Sequence, residues 1–331
     1  MKDLTIIIPV KDELLPVLER TLAPLLTGIE GRNAEIIIVD NSLYETHTFN
    51  HQQIRHLKNG RNVGVGLAFN QGVGAADSER VMLMGCDVII QDNWYDRVLQ
   101  TLDDHANTIF CAVSSGYTDQ SEPFRPVRVR RFGCHVVYKV TKDDIPIGSK
   151  LRNDPKFSRI LQGKWNYLEP NPGKELGQIG CLMGALYWMH KSDYTRIHGW
   201  NHHRQWGTLE PNLSIRARGH GMRIMLDKTI EGSHYFSREI VRPSRGDFQY
   251  FNMLYLAHTC FSPSIAGELE YYLRYGGRDI KVEKLNVNKA RVMLKRISGA
   301  VTTERDYNNR HFTHGLIKDI NNFEKFEIWQ K

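Results

Sequence analysis

The chain has 331 residues, 41% of them hydrophobic and 24% charged, with 44 basic against 37 acidic side chains and a formal net charge of +7. A chain this long buries a substantial core, and this composition excludes a disordered polypeptide. No apolar run approaches the roughly 20 residues of a membrane span, and the stretch from Met1 to Val10 lacks a basic n-region or a small-residue cleavage site, so a soluble cytoplasmic protein is expected. Leu4 to Val10 (LTIIIPV) is a β-branched run of the kind found in strands buried on both faces. Asp12 to Leu26 carries leucines at helical spacing and is expected to cross back over the sheet. Glu35 to Asp40 (EIIIVD) reads as a second buried strand ending in an acid, and Gly64 to Ala76 as a glycine-rich entry into a helix. Arg80 to Met84 is a third strand followed by Gly85-Cys86-Asp87, and Asn107 to Ser114 a fourth.

This alternation predicts an α/β fold with a mostly parallel central sheet and helices on its faces. Ligands of such sheets gather beyond the C-terminal ends of the strands. Pro9-Val10, Asp40-Asn41 and Cys86-Asp87 all fall there. Residues 115–176 are rich in Pro, Gly and Arg and read as an insertion over the sheet edge, with a strand at His135 to Val140. Order resumes at Gly177 to Ser237. Beyond about residue 240 the chain turns aromatic and basic, with helices at Glu268 to Tyr275 and Val282 to Ile297. The expected division is therefore 1–239 and a basic, mainly helical 240–331. Five scattered cysteines without a CxxC (Cys86, Cys111, Cys134, Cys181, Cys260) argue against a disulfide framework or zinc site and are expected as core thiols.

Five segments in order give the chain a resemblance to the family 2 glycosyltransferases, the large inverting group with the Rossmann-like GT-A nucleotide-sugar-binding fold. They are IIIPVKDE at strand one; IIIVDNS, similar to VDDGS; Asn62-Val63-Gly64-Val65-Gly66-Leu67-Ala68-Phe69-Asn70-Gln71-Gly72, similar to NxGxAxAxNxG; Trp206 to Arg216, similar to WGGEDxDLSxR; and Gly232-Ser233-His234. The resemblance spans roughly residues 4 to 237. It implies a nucleotide-sugar donor, by family frequency a UDP-sugar, with Asp40 at the base and Pro9, Val10, Asn62, Gly64, Gly66, Asn70, Cys86 and Asp87 around the rest of the donor. It further implies Mn²⁺ or Mg²⁺ on Asp87 and His234, and Glu210 as the base. Two departures stand out: Gly85 replaces the first acid of DxD, and Leu209-Glu210 replaces Glu-Asp. Arg216 and Arg218 follow on the same helix, near phosphate or in structural pairs.

The chemistry needs these residue types. A departing diphosphate calls for a cation, and an attacking hydroxyl calls for a carboxylate partly screened from water. Trp206, Arg128 and Arg130 are expected on the acceptor side. Basic clusters there and at Lys281 to Arg296, interleaved with Tyr250, Phe251, Tyr255, Tyr271, Tyr272 and Tyr275, suit an anionic acceptor such as modified DNA or an acidic glycan. A solvated basic face is the plainer alternative. A nucleotidyltransferase would need a glycine-rich basic loop after strand one, where Pro9-Val10-Lys11 stands. A dinucleotide fingerprint would need its glycines in that same place. The missing DxD acid motivates a further alternative, a degenerate domain that binds carbohydrate or nucleic acid without turnover.

Overall fold

The computed structural model describes residues 1–12, 15–43, 48–118, 121–124, 130–141, 159–184, 186–205, 207–235, 246–275 and 281–319. Strands β1 (Leu4–Val10) and β2 (Ala34–Asp40) are buried along their whole lengths and run parallel. Their register sets Val10 opposite Asp40, and β3 (Ile54–Lys58) carries the parallel run outward with Lys58 opposite Asp40. On the other side of β1 lies β4 (Arg80–Met84), also parallel. Helix α1 (Leu15–Ile29) begins later than its leucine spacing predicts, because Asp12 takes a left-handed backbone (φ 54) incompatible with a helical turn.

The far half of the sheet is mixed. Strand β10 (Leu186–His190) inserts antiparallel between β4 and β6 (Thr108–Tyr117), and β11 (Arg223–Tyr235) runs parallel to β6. The short β5 (Val88–Ile90) closes the order β3-β2-β1-β4-β10-β6-β11-β5, and β9 (Leu176–Gln178) pairs along β11. Side chains alternate between the two faces as the pleat requires. Ile6 and Ile8 pack with α1 and α3 (Trp94–Asp104). Ile7 packs with α2 (Val65–Ala75) and α5 (Leu209–Gly219). A short α4 (Lys191–Arg196) follows β10.

Within the expected insertion, β7 (Cys134–Lys139) and β8 (Ile160–Trp165) form a separate antiparallel pair. That pair shares a third core with Ile215 of α5 and with the helices α6 (Gly246–Cys260), α7 (Pro263–Tyr275), α8 (Lys281–Arg296) and α9 (Ser298–His311). The boundary expected at 239/240 lies outside the described residues. All five cysteines are buried and unbridged. Among the described residues no helix is long and apolar enough to cross a membrane.

Candidate active site

The parallel strands end together. The Asn41 amide donates to the Val10 carbonyl at 2.8 Å, and Pro9 stands opposite Val39. Asp40 is buried, and its Oδ1 accepts the Ser42 amide at 2.8 Å, which turns the chain sharply at the strand end. The glycine-rich segment docks beside this edge. Asn62 Oδ1 accepts the Gly64 amide at 2.9 Å. Gly64 has φ +91, and a Cβ there would sit 2.5 Å from the Gln205 nitrogen, so only glycine fits. Gly66 lies as tightly against Trp200. The Asn70 carboxamide oxygen accepts the Trp200 amide at 3.0 Å and the Tyr194 hydroxyl at 2.5 Å. Thus Gly64, Gly66 and Asn70 clamp α2 onto the 194–205 segment, and Asn70 oxygen is used in that clamp.

The loop after β4 is sewn in on both sides. Thr21 donates its hydroxyl to the Cys86 carbonyl at 2.8 Å, and the Tyr235 amide donates to the Asp87 carbonyl at 2.8 Å. Pairing of β11 with β5 sets His234 opposite Val88. The outcome is His234 Nε2 at 3.5 Å from Asp87 Oδ1, with the carboxylate buried and the imidazole 20% exposed. Among the described residues no group of three or more His, Cys, Asp or Glu side chains could hold a metal ion.

Glu210 enters from the opposite side. Gln205, Gly207 and Thr208 all take positive φ (46, 102 and 61), which turns the chain into α5 with Glu210 in its first turn. Left-handed threonine is strained backbone, held by its surroundings. Burial pushes the Glu210 carboxyl above the usual carboxylate range, opposed by its own backbone and by the Tyr187 hydroxyl, which donates to Oε1 at 3.0 Å. A Cβ on Gly184 would lie 2.4 Å from that same oxygen. A narrow cleft of about 10 Å³ has Val88, Ser114, Met183, Gly184, Gly232 and His234 in its lining. His234 and Gly184, the residue packed against Glu210 Oε1, both line it.

Residues 5–161 match the family model Glycosyl transferase family 2. Over that stretch, a little under half of its length, the chain is similar to the family 2 glycosyltransferases. No curated protein matches the sequence. Among solved structures, the crystal structure of GalNAc-T7 with UDP, GalNAc and Mn²⁺ aligns with a TM-score of 0.61 at 12% identity, over 91% of this chain and 57% of that one. At that identity the likeness establishes the GT-A fold, and the chain spans a little over half the length of that structure.

The expected acceptor residues divide. Arg130 donates its Nε to Glu231 Oε2 at 3.0 Å, an ion pair next to the cleft residue Gly232. Trp206 and Arg128 lie outside the described residues. Arg218 donates to the Gly180 carbonyl at 3.2 Å. Arg216 is fully buried and ion-paired at 2.9 Å with Glu304 of α9. Sequence reading passed over Tyr187, Gly184 and Glu304. Tyr187 sits in the apolar run LYWM, where its only signal is a phenol in an otherwise hydrocarbon strand. Beside the cleft, Arg131 bonds through its backbone to Ser114 and stacks its guanidinium 3.8 Å over Trp165.

Proposed function

We propose that the chain moves a sugar from a UDP-sugar to a hydroxyl acceptor with inversion at the anomeric carbon, using a divalent cation at Asp87 and His234 and Glu210 as the base. The observation that carries this reading is the single cleft shared by His234 and by Gly184, the residue packed against Glu210 Oε1. A carboxylate and an imidazole 3.5 Å apart suit Mn²⁺ and tolerate Mg²⁺. With two protein ligands, most coordination positions are left for diphosphate oxygens and water. A cation bound there would supply Lewis-acid stabilisation of the charge on the departing diphosphate. The chain's own residues do the rest. The ends of β1 and β2 form the nucleoside shelf, with Asp40 at its edge. The sealed loop around Cys86 holds Asp87 against β11. Glu210, with its carboxyl raised by burial, takes the proton of an acceptor hydroxyl as that oxygen attacks.

UDP and manganese are named with the solved structure of similar fold, which supports the donor and metal proposed here. The acceptor in this reading is anionic, a modified DNA or an acidic glycan. The net charge of +7 and the exposed Lys289, Lys295 and Arg296 of α8 support it. The test is UDP release from UDP-glucose, UDP-GlcNAc and UDP-GalNAc with Mn²⁺, in the parent chain and in Asp87→Ala. Turnover that falls at least about a hundredfold in the variant is expected. A panel of nucleotide sugars that gives neither turnover nor binding would leave a degenerate binding domain in its place.

A further inference from the structure

Glu210 is half-buried, and one of its hydrogen bonds comes from a side chain outside the recognised motifs. Tyr187 is centred on β10, opposite Leu83 of β4 and Cys111 of β6, with 3% of its surface exposed. Its ring packs 6.4 Å from Trp200, and its hydroxyl ends at Glu210 Oε1. Three residues earlier, Gly184 leaves the space the carboxylate occupies: a Cβ there would meet Glu210 Oε1 at 2.4 Å and the Tyr187 hydroxyl at 3.2 Å. The strand thus supplies both a donor and a matching vacancy, and the residue beside that vacancy lines the cleft.

We propose that Tyr187 is a positioning residue for this carboxylate, its hydroxyl holding Glu210 Oε1 against Gly184 so that the side chain keeps one orientation at the cleft wall. The proposal rests on the reading of Glu210 as the base. Burial, and then the charge of Glu210, push the Tyr187 phenol well above its ordinary value, so it stays protonated and donates. Apart from its own backbone amide, Tyr187 is the side-chain donor shown at Glu210, and a buried donor of this kind orients the carboxylate. Among the described residues the charge of Glu210 also reaches the thiols of Cys134 on β7 and Cys181 before β10. Burial pushes both up, so they stay neutral. Arg131 acts on the first thiol and Arg218 on the second, and His234 faces the cleft from β11.

The experiment is Tyr187→Phe in the full chain, read by carbon-detected NMR titration of the Glu210 carboxyl and by the melting midpoint. Loss of a donor to the charged form moves the Glu210 midpoint upward by roughly half a pH unit or more. A purely structural tyrosine would lower the melting midpoint and leave the titration where it was, and that result overturns the proposal. Should the phenylalanine variant fail to fold, a ring-fluorinated tyrosine at position 187 keeps the shape and strengthens the donor. The Glu210 midpoint then moves downward, and an unmoved midpoint overturns the proposal equally. With a UDP-sugar that turns over, Tyr187→Phe lowers kcat about tenfold, leaves KM within a factor of two and shifts the acidic limb of the rate profile upward. Glu210→Gln separates the two readings. Full turnover in that variant removes the base assignment, whereas lost turnover with an unmoved titration in Tyr187→Phe removes only the tyrosine's role.

Discussion

Helix α5 carries a glutamate partnership at each end, and the two are built in opposite ways. At its C-terminal half, Arg216 is fully buried, ion-paired at 2.9 Å with Glu304 and in reach of the Ile197 carbonyl at 3.3 Å. His198 Nδ1 meets the other Glu304 oxygen at 2.9 Å, and the Tyr307 ring stacks 4.0 Å from that imidazole. Burial alone would raise the Glu304 carboxyl, but the His198 hydrogen bond and the Arg216 charge hold it below the usual range. At the N-terminal end, Glu210 has the Tyr187 phenol in place of a cation, and burial prevails. A carboxylate that is compensated locks one helix to another. A carboxylate left short of compensation keeps a raised proton affinity, which suits it to take a proton from a hydroxyl.

The largest effect that could break this contrast is on turnover. Glu210→Gln keeps the volume and a hydrogen-bond acceptor for Tyr187 but removes the proposed proton acceptor. It should lower kcat by about 10²–10⁴-fold while leaving the denaturation midpoint unchanged or raised. A Glu210→Gln enzyme with near-parent kcat would place the base elsewhere. Glu304→Ala should do the reverse. It strands a buried guanidinium, and the expected loss is about 3–5 kcal/mol of folding stability by urea titration. A loss below about 1 kcal/mol would show that Arg216 finds other partners.

How far the chain could be read beforehand follows the same divide. The runs LTIIIPV, EIIIVD and RVMLM read as neighbouring strands of one parallel sheet, so their ends, and with them Asp40 and Asp87, were legible as one edge. The antiparallel β10 was not. A short apolar run fits a strand or a buried helix, and its partners Met82 and Phe110 lie far away in sequence. Nor could Glu304 be singled out within SGAVTTERDYNNRH, where acidic and basic residues alternate without an apolar stripe. Its meaning comes from Arg216, which sequence alone left between a phosphate and a structural partner. Tyr187 was hidden for a related reason: a core aromatic and a core aromatic with a working hydroxyl look the same until the hydroxyl's neighbour is known.

The smallest predicted effect sharpens the comparison through its sign. Glu304 is held below its ordinary value, so its contribution to stability is present above that value and lost as pH falls through the folded one. His220, packed near Tyr307, works in the same direction. Burial lowers it from 6.5 to about 4, so the folded protein keeps it neutral, and stability drains as pH falls from about 6.5 toward 4. Glu210 runs the other way. Its carboxyl is raised, so burying its charge destabilises the fold at neutral pH, and that penalty fades as acid protonates it. Parent and Glu210→Gln stabilities, measured by urea titration from pH 7.5 to 4, should therefore converge as the pH falls, with the variant ahead at neutral pH. The corresponding Glu304→Gln curve should start below the parent and begin to approach it only at the acid end of that range, because the parent loses this contribution only as pH falls below the ordinary carboxylate value. Two variants converging on the parent from opposite sides is the outcome that two oppositely tuned carboxylates require, and two curves lying on the same side would mean that both ends of α5 are held in the same way.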